Sequence, residues 1–295
     1  MKNLSLFFSV MLLIAFINSN AQNSEIMQTV LDSPDLDSPK LFSKGSFFVT
    51  PYYQFSRFKN LKLISHSNQY NLYEGNAYYD FPEEEISEYN DNFDTEYTNS
   101  LAGIRLGYHV MDGLGVNAFV GVNHFNFKSW ISEENTQSLN TKLPALTFGA
   151  TLDYIKQVHN KLYAIGYSSV TYSTTANVVN ENSSGEDVIK SHLKSLTWDV
   201  DIALAYAVGR LKPYAGAGFT QQYINTVTTE QIETTNENGS TVFNKTTFDS
   251  HFRGNGFYGF AGIDYVVSPT LSFYARGTFV NPLRITTGIR IAISK

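Results

Sequence analysis

Ile285-Thr286-Thr287-Gly288-Ile289-Arg290-Ile291-Ala292-Ile293-Ser294, next to the C-terminus, alternates between two kinds of side chain. Successive side chains of a strand point to opposite faces, so one face here carries Ile285, Thr287, Ile289, Ile291 and Ile293. The other carries Thr286, Gly288, Arg290, Ala292 and Ser294. A strand almost pure in isoleucine on one side and small, polar or charged on the other fits a wall between lipid and a polar lumen.

The opposite end of the chain agrees with that setting. Lys2, the apolar run Leu4 to Ile17 and the small residues Ser19 and Ala21 have the anatomy of a secretory leader, residues 1–21, with cleavage after Ala21. The apolar run is short for a bilayer-spanning helix, and no later run approaches that length. No cysteine follows it to carry a lipid. Residues 22–44, with Asp32-Ser33-Pro34 and Asp37-Ser38-Pro39, read as an extended periplasmic lead-in, and residues 45–295 as one β-barrel domain.

Composition narrows the class. The 295 residues contain no cysteine, which excludes a disulfide scaffold and thiolate metal sites. With 22 Phe and 19 Tyr against 2 Trp, the chain is rich in residues that suit strands and membrane-interface girdles. A net charge of -6 argues against nucleic acid as a partner.

Alternation continues through the chain. Phe47, Val49, Pro51, Tyr53 and Phe55 oppose Ser46, Thr50, Gln54 and Ser56; Ala102 to Val110 oppose Gly103, Arg105, Gly107 and His109. Val116, Ala118, Val120 and Val122 form one face of the next segment, and Leu146, Phe148, Ala150, Leu152 and Tyr154 one face of another. The segment Leu162 to Thr174 has no decided register. The clearest internal case sets Leu196, Trp198, Val200, Ile202, Leu204, Tyr206 and Val208 against Thr197, Asp199, Asp201 and three alanines. A soluble sandwich could carry the same pattern, so periodicity alone leaves the class open.

Connection lengths separate the two. Tight turns follow the second, fourth, sixth and eighth strands, whereas the first connection runs from about Lys59 to Asn99 and the others on that side are also long. Short turns at one end and long loops at the other define an all-β, transmembrane, antiparallel up-and-down barrel of about ten strands, with eight or twelve as neighbouring counts. The loop Ile232 to Thr247 turns at Asn238-Gly239, so its flanking strands are expected to continue beyond the membrane as a ribbon.

The Tyr214-Ala215-Gly216-Ala217-Gly218 strand, the Gly262-Ile263-Asp264-Tyr265 strand end and the closing Gly288-Ile289-Arg290 resemble those of small Gram-negative outer-membrane β-barrel proteins, the porin-like, OmpA/OmpW-like class. The resemblance covers about Gly45 to Lys295. It implies architecture and a place in the cell outer membrane, and says little about function. Many members end on an aromatic residue, whereas this chain ends Ile293-Ser294-Lys295.

On this register Asp153, Asp199, Asp201 and Asp264 point into the lumen, as do Arg105, Arg276 and Arg290. Their closeness to short turns predicts a common height in the periplasmic half. Such a cluster is either an ion-pair network filling a narrow barrel or a polarised constriction that selects solutes. The network makes the protein a closed structural barrel and the constriction a narrow porin-like channel, in either case without catalytic activity and without a cofactor.

The alternative is a surface interaction protein, an adhesin or an accessory barrel of a secretion or uptake complex, contacting a glycan or protein through residues 59–98. Acidic residues such as Glu83, Glu84 and Glu85 are interleaved there with Tyr70, Tyr78, Tyr79 and Phe81. They match no calcium-loop spacing. An outer-membrane enzyme is a third reading with less support, since His109, His124, His159, His192 and His251 stand in no recognised nucleophile motif.

Overall fold

Strand formation follows the alternation because each such segment can bury one face in a lumen and turn the other to lipid. The computed structural model describes residues 44–74, 77–80, 84–86, 95–130, 136–140, 145–175, 178–181, 187–235, 241–268 and 270–293. The leader and the lead-in read from the sequence lie outside the described residues, apart from Lys44.

In chain order the strands are β1 Phe47–Lys59, β2 Lys62–Glu74, β3 Ala77–Asp80, β4 Glu84–Ile86, β5 Thr95–Met111, β6 Leu114–Trp130, β7 Thr136–Asn140, β8 Ala145–His159 and β9 Leu162–Thr174. Then come β10 Val178–Glu181, β11 Asp187–Tyr206, β12 Leu211–Thr235, β13 Thr241–Ser268, β14 Leu271–Phe279 and β15 Leu283–Ile293. Ten of these strands close on themselves in the order β1-β5-β6-β8-β9-β11-β12-β13-β14-β15 and back to β1. Every pairing is antiparallel, and closure removes the free edges that an open sheet would leave.

The outer wall is apolar. Ile104, Val120, Leu146, Ile202, Leu204 and Ile285 are each about half or more exposed, which no protein core requires and a bilayer does. Two aromatic rings bound this belt. Trp198, Phe219 and Phe257 stack side by side at one height, with centroids 6.0 and 5.0 Å apart, and Phe148 meets Tyr172 at 5.2 Å. Tyr108, Tyr206, Tyr265 and Phe273 stand exposed at the other. Trp198 and Tyr206 lie eight residues apart on β11, about 26 Å along the strand, or roughly 20 Å along the axis at a tilt near 40°. That distance suits a hydrocarbon belt. Among the described residues no helix is long and apolar enough to cross a membrane, so the crossing is made by strands.

Tight connections after β5, β8, β11 and β13 lie at the end where β1 begins and β15 ends. At the other end β12 and β13 remain paired as far as Thr235 and Thr241, so the expected ribbon exists, while its Asn238-Gly239 turn lies outside the described residues. Loop one departs from the sequence reading. After Lys59 the chain bends at Asn60, whose φ is 56°, and re-forms as β2, which pairs with β13 from Lys62 opposite Arg253 to Glu74 opposite Val242. The cause is local. The β14–β15 pair stops at this height, and Asn281 takes its place by accepting from the Lys59 N–H at 3.1 Å and donating to its carbonyl at 2.7 Å. The edge of β13 above it is left for β2 to occupy.

Candidate functional site

The lumen is built in layers, and each follows from which residue of a strand pair points inward. At the outer end the inward positions are apolar: Phe58 of β1, Tyr97 of β5, Phe125 and Phe127 of β6, Ala145 of β8, Leu193 of β11, Ile224 of β12 and Phe252 of β13. Leu61, on the link to β2, completes a cluster in which every member is almost fully buried. Phe127 and Phe252 meet across the barrel at 4.8 Å, and Tyr97 touches Phe125 at 5.5 Å. Seven strands therefore send side chains to one plug. Ten strands spaced about 4.8 Å apart at a tilt near 40° enclose a radius of roughly 10 Å, a span that large side chains from facing walls bridge.

Beneath the plug lies a neutral polar layer. Thr147 and Ser173 share a hydrogen bond at 2.8 Å, Gln222 Nε2 donates to Ser195 Oγ at 3.1 Å, and Ser56 Oγ donates to Asn99 Oδ1 at 2.5 Å. These pairings give each of the six side chains at least one hydrogen bond in place of the water that burial removes.

The charged groups follow. Arg284 Nη2 reaches Asp199 Oδ1 at 3.1 Å, and Ser169 Oγ donates to the other carboxylate oxygen at 3.2 Å. Arg276 Nη2 reaches Asp201 Oδ2 at 2.7 Å while its guanidinium lies 3.7 Å from the Phe260 ring centroid; Tyr258 donates to Asp201 Oδ1 at 2.6 Å. Both aspartates are at most 4% exposed. Nearer the turn end, Arg290 Nη1 stands 4.0 Å from Asp264 Oδ2, and His109 Nε2 stands 3.6 Å from Asp153 Oδ2. Asn117 donates to Asp153 and, at 2.8 Å, to Thr151. Gly218 makes the Asp201 contact sterically feasible, because a Cβ there would fall 2.0 Å from Asp201 Oδ1 and 2.7 Å from the Tyr258 ring.

All seven residues read from the sequence, Arg105, Asp153, Asp199, Asp201, Asp264, Arg276 and Arg290, line one interior cavity of about 160 Å³. They do not share a height. Asp199 neighbours Trp198 of the outer aromatic ring, whereas Asp153 and Asp264 lie toward the turns, so the charges are strung along the lumen. Arg105 pairs with none of the four carboxylates: its Nη2 donates to the Tyr167 hydroxyl at 3.4 Å. Asp199 finds Arg284 instead, a residue absent from the sequence-derived set although it continues the Thr286, Gly288, Arg290 face by one step. His109 stood on the correct face but carried no assigned role. The open register of β9 resolves with Ile165, Tyr167, Ser169, Thr171 and Ser173 inward. Among the described residues no group of three or more His, Cys, Asp and Glu could hold a metal ion.

No protein-family model and no curated protein matches the sequence. Among solved structures the chain is similar to the outer membrane protein OprG of Pseudomonas aeruginosa, at 12% identity and a TM-score of 0.36 over 86% of this chain and 99% of that one. It is similar to the translocator domain of the autotransporter NalP of Neisseria meningitidis, at 8% identity and a TM-score of 0.39 over 94% and 98%. It is also similar to the outer membrane protease OmpT of Escherichia coli, at 10% identity and a TM-score of 0.36 over 84% and 97%. Likeness at this level bears on neither activity nor partner. The closed sheet, the lipid-facing belt with two aromatic rings and the polar interior are by themselves those of a β-barrel of the bacterial outer membrane.

Proposed function

We propose that the protein is a closed, non-catalytic outer-membrane barrel that carries structure to the cell surface rather than solutes through the wall. One observation carries the reading: the apolar plug of Phe58, Tyr97, Phe125, Phe127, Leu193, Ile224 and Phe252 sits across the outer mouth. Ion movement through such a layer requires stripping water from the ion with no polar group to replace it. Beneath the plug the Arg276–Asp201 and Arg284–Asp199 pairs reach into the interior cavity, where a file of hydrated solutes would have to pass. Each of the four lumen aspartates is engaged by a cationic or histidine partner, which fits a cross-braced interior better than a selectivity ring.

A second observation favours a surface role. The β12–β13 ribbon rises past the barrel rim and β2 is paired to it, with β3 and β4 paired to β2, so the described parts of the acidic, tyrosine-rich segment 59–98 between Lys62 and Ile86 are anchored to a sheet. Contact of that segment with a glycan or a partner protein is the corresponding reading. Planar-bilayer recording tests the primary one: wild-type protein is expected to insert without unitary conductance steps, and Phe127→Ala/Phe252→Ala to conduct. Steady wild-type channels would refute it.

A further inference from the structure

Arg105 differs from the other three arginines of the cavity. Arg276, Arg284 and Arg290 each face an aspartate, and Asp153, the remaining lumen carboxylate, is held by His109 and Asn117. Among the described residues no carboxylate lies within ion-pair distance of Arg105. Its guanidinium stands instead among aromatic rings, 5.2 Å from the centroid of Tyr52 and 5.9 Å from that of Tyr167.

Three donors at this place are buried without a hydrogen-bond partner: Arg105 Nε, the Tyr52 hydroxyl and the Tyr274 hydroxyl. Tyr52 is only 6% exposed, and all three residues line the same cavity of about 160 Å³. A buried donor left unmade costs the full desolvation of that group, and a buried cation without a counter-charge costs more. Water could accept from the hydroxyls but would leave the guanidinium with no anion in contact, since the Asp153 carboxylate acts on it only from beyond ion-pair distance. A small anion accepts from all three donors and supplies a negative charge in direct contact with the guanidinium.

We propose that the lumen holds a small monovalent inorganic anion of the halide class, ligated by Arg105 with the Tyr52 and Tyr274 hydroxyls. The site is independent of whether the barrel conducts, since closure is set by the apolar plug above it. Its test is unfolding of the full barrel in detergent by urea, in sodium chloride and in sodium gluconate at equal ionic strength. Chloride is expected to move the midpoint upward in a saturable way, Arg105→Gln to abolish that dependence, and Tyr274→Phe, which keeps the charge, to weaken it. Crystals grown in sodium bromide are expected to show an anomalous peak beside Arg105. A midpoint indifferent to chloride, a chloride dependence unchanged in both variants, or bromide-grown crystals without the peak would overturn the proposal.

Discussion

Replacing Arg276 by Met removes one member of the Asp201 ion pair while keeping an unbranched apolar stem of similar reach. Three contacts bear on the cost. The 2.7 Å ion pair with Asp201 is lost, the cation–π contact to Phe260 at 3.7 Å becomes an ordinary thioether–ring contact, and Asp201 keeps the Tyr258 hydroxyl at 2.6 Å. With Asp201 just 3% exposed, its charge has little water to fall back on. Breaking one side of a buried pair costs about 3–5 kcal/mol, with the cation–π loss contributing within that range because the two are not independent. The folding equilibrium should therefore fall roughly a hundredfold to several thousandfold. Arg276→Met/Asp201→Asn removes the stranded charge while Asn still accepts from Tyr258, so the double variant is expected within about 1 kcal/mol of wild type. Equilibrium urea unfolding in lipid vesicles, followed by tryptophan fluorescence, measures all three proteins. A single variant that loses less than about 1 kcal/mol, or a double variant as unstable as the single, would refute the view that these charges brace the lumen in pairs.

Three further substitutions probe the register and the packing. Ile202, 69% exposed on the lipid face between the aromatic rings, should lose about 2–4 kcal/mol on replacement by Arg, whereas Thr286→Ser on the lumen face should stay near wild type in the same urea assay; equal tolerance at both would mean that the faces are exchanged. Gly218→Ala places a methyl group 2.0 Å from Asp201 Oδ1 and should cost about 1–3 kcal/mol by forcing Asp201 and Tyr258 apart; a variant as stable as wild type would remove the steric argument for that glycine.

How much of this was legible in the sequence depends on whether the two faces of a segment meet different surroundings. Ile285 to Ile293 and Leu196 to Val208 lie between lipid and lumen, so their alternation fixes which residues point inward. Segment 62–74 runs outward from the plug, where Leu63 packs on the cluster while its neighbour Ile64 is exposed, and Lys62-Leu63-Ile64-Ser65 carries no period that would announce its pairing with β13. The alternation also gives a face without giving a position around the barrel. Asp201 on β11 meets Arg276 on β14, three strands away, and that partnership comes from side chains crossing the lumen, which strand periodicity does not encode. The inward aromatics Phe48, Tyr52 and Phe58 were hidden for a related reason. A narrow lumen packs large rings among its polar groups, so β1 does not divide cleanly into an apolar and a polar face.

Sealing of the lumen at its outer mouth can be measured by thiol labelling, since the chain contains no cysteine of its own. Ser195 is buried on the lumen face directly below the plug, and Ser195→Cys changes one atom; Lys62 is exposed on β2 above the rim, and Lys62→Cys serves as the accessible reference. With a membrane-impermeant maleimide added to intact cells, a sealed lumen gives rapid modification of Lys62→Cys and protection of Ser195→Cys until the barrel is unfolded. Modification of Ser195→Cys at the rate of the reference would contradict it.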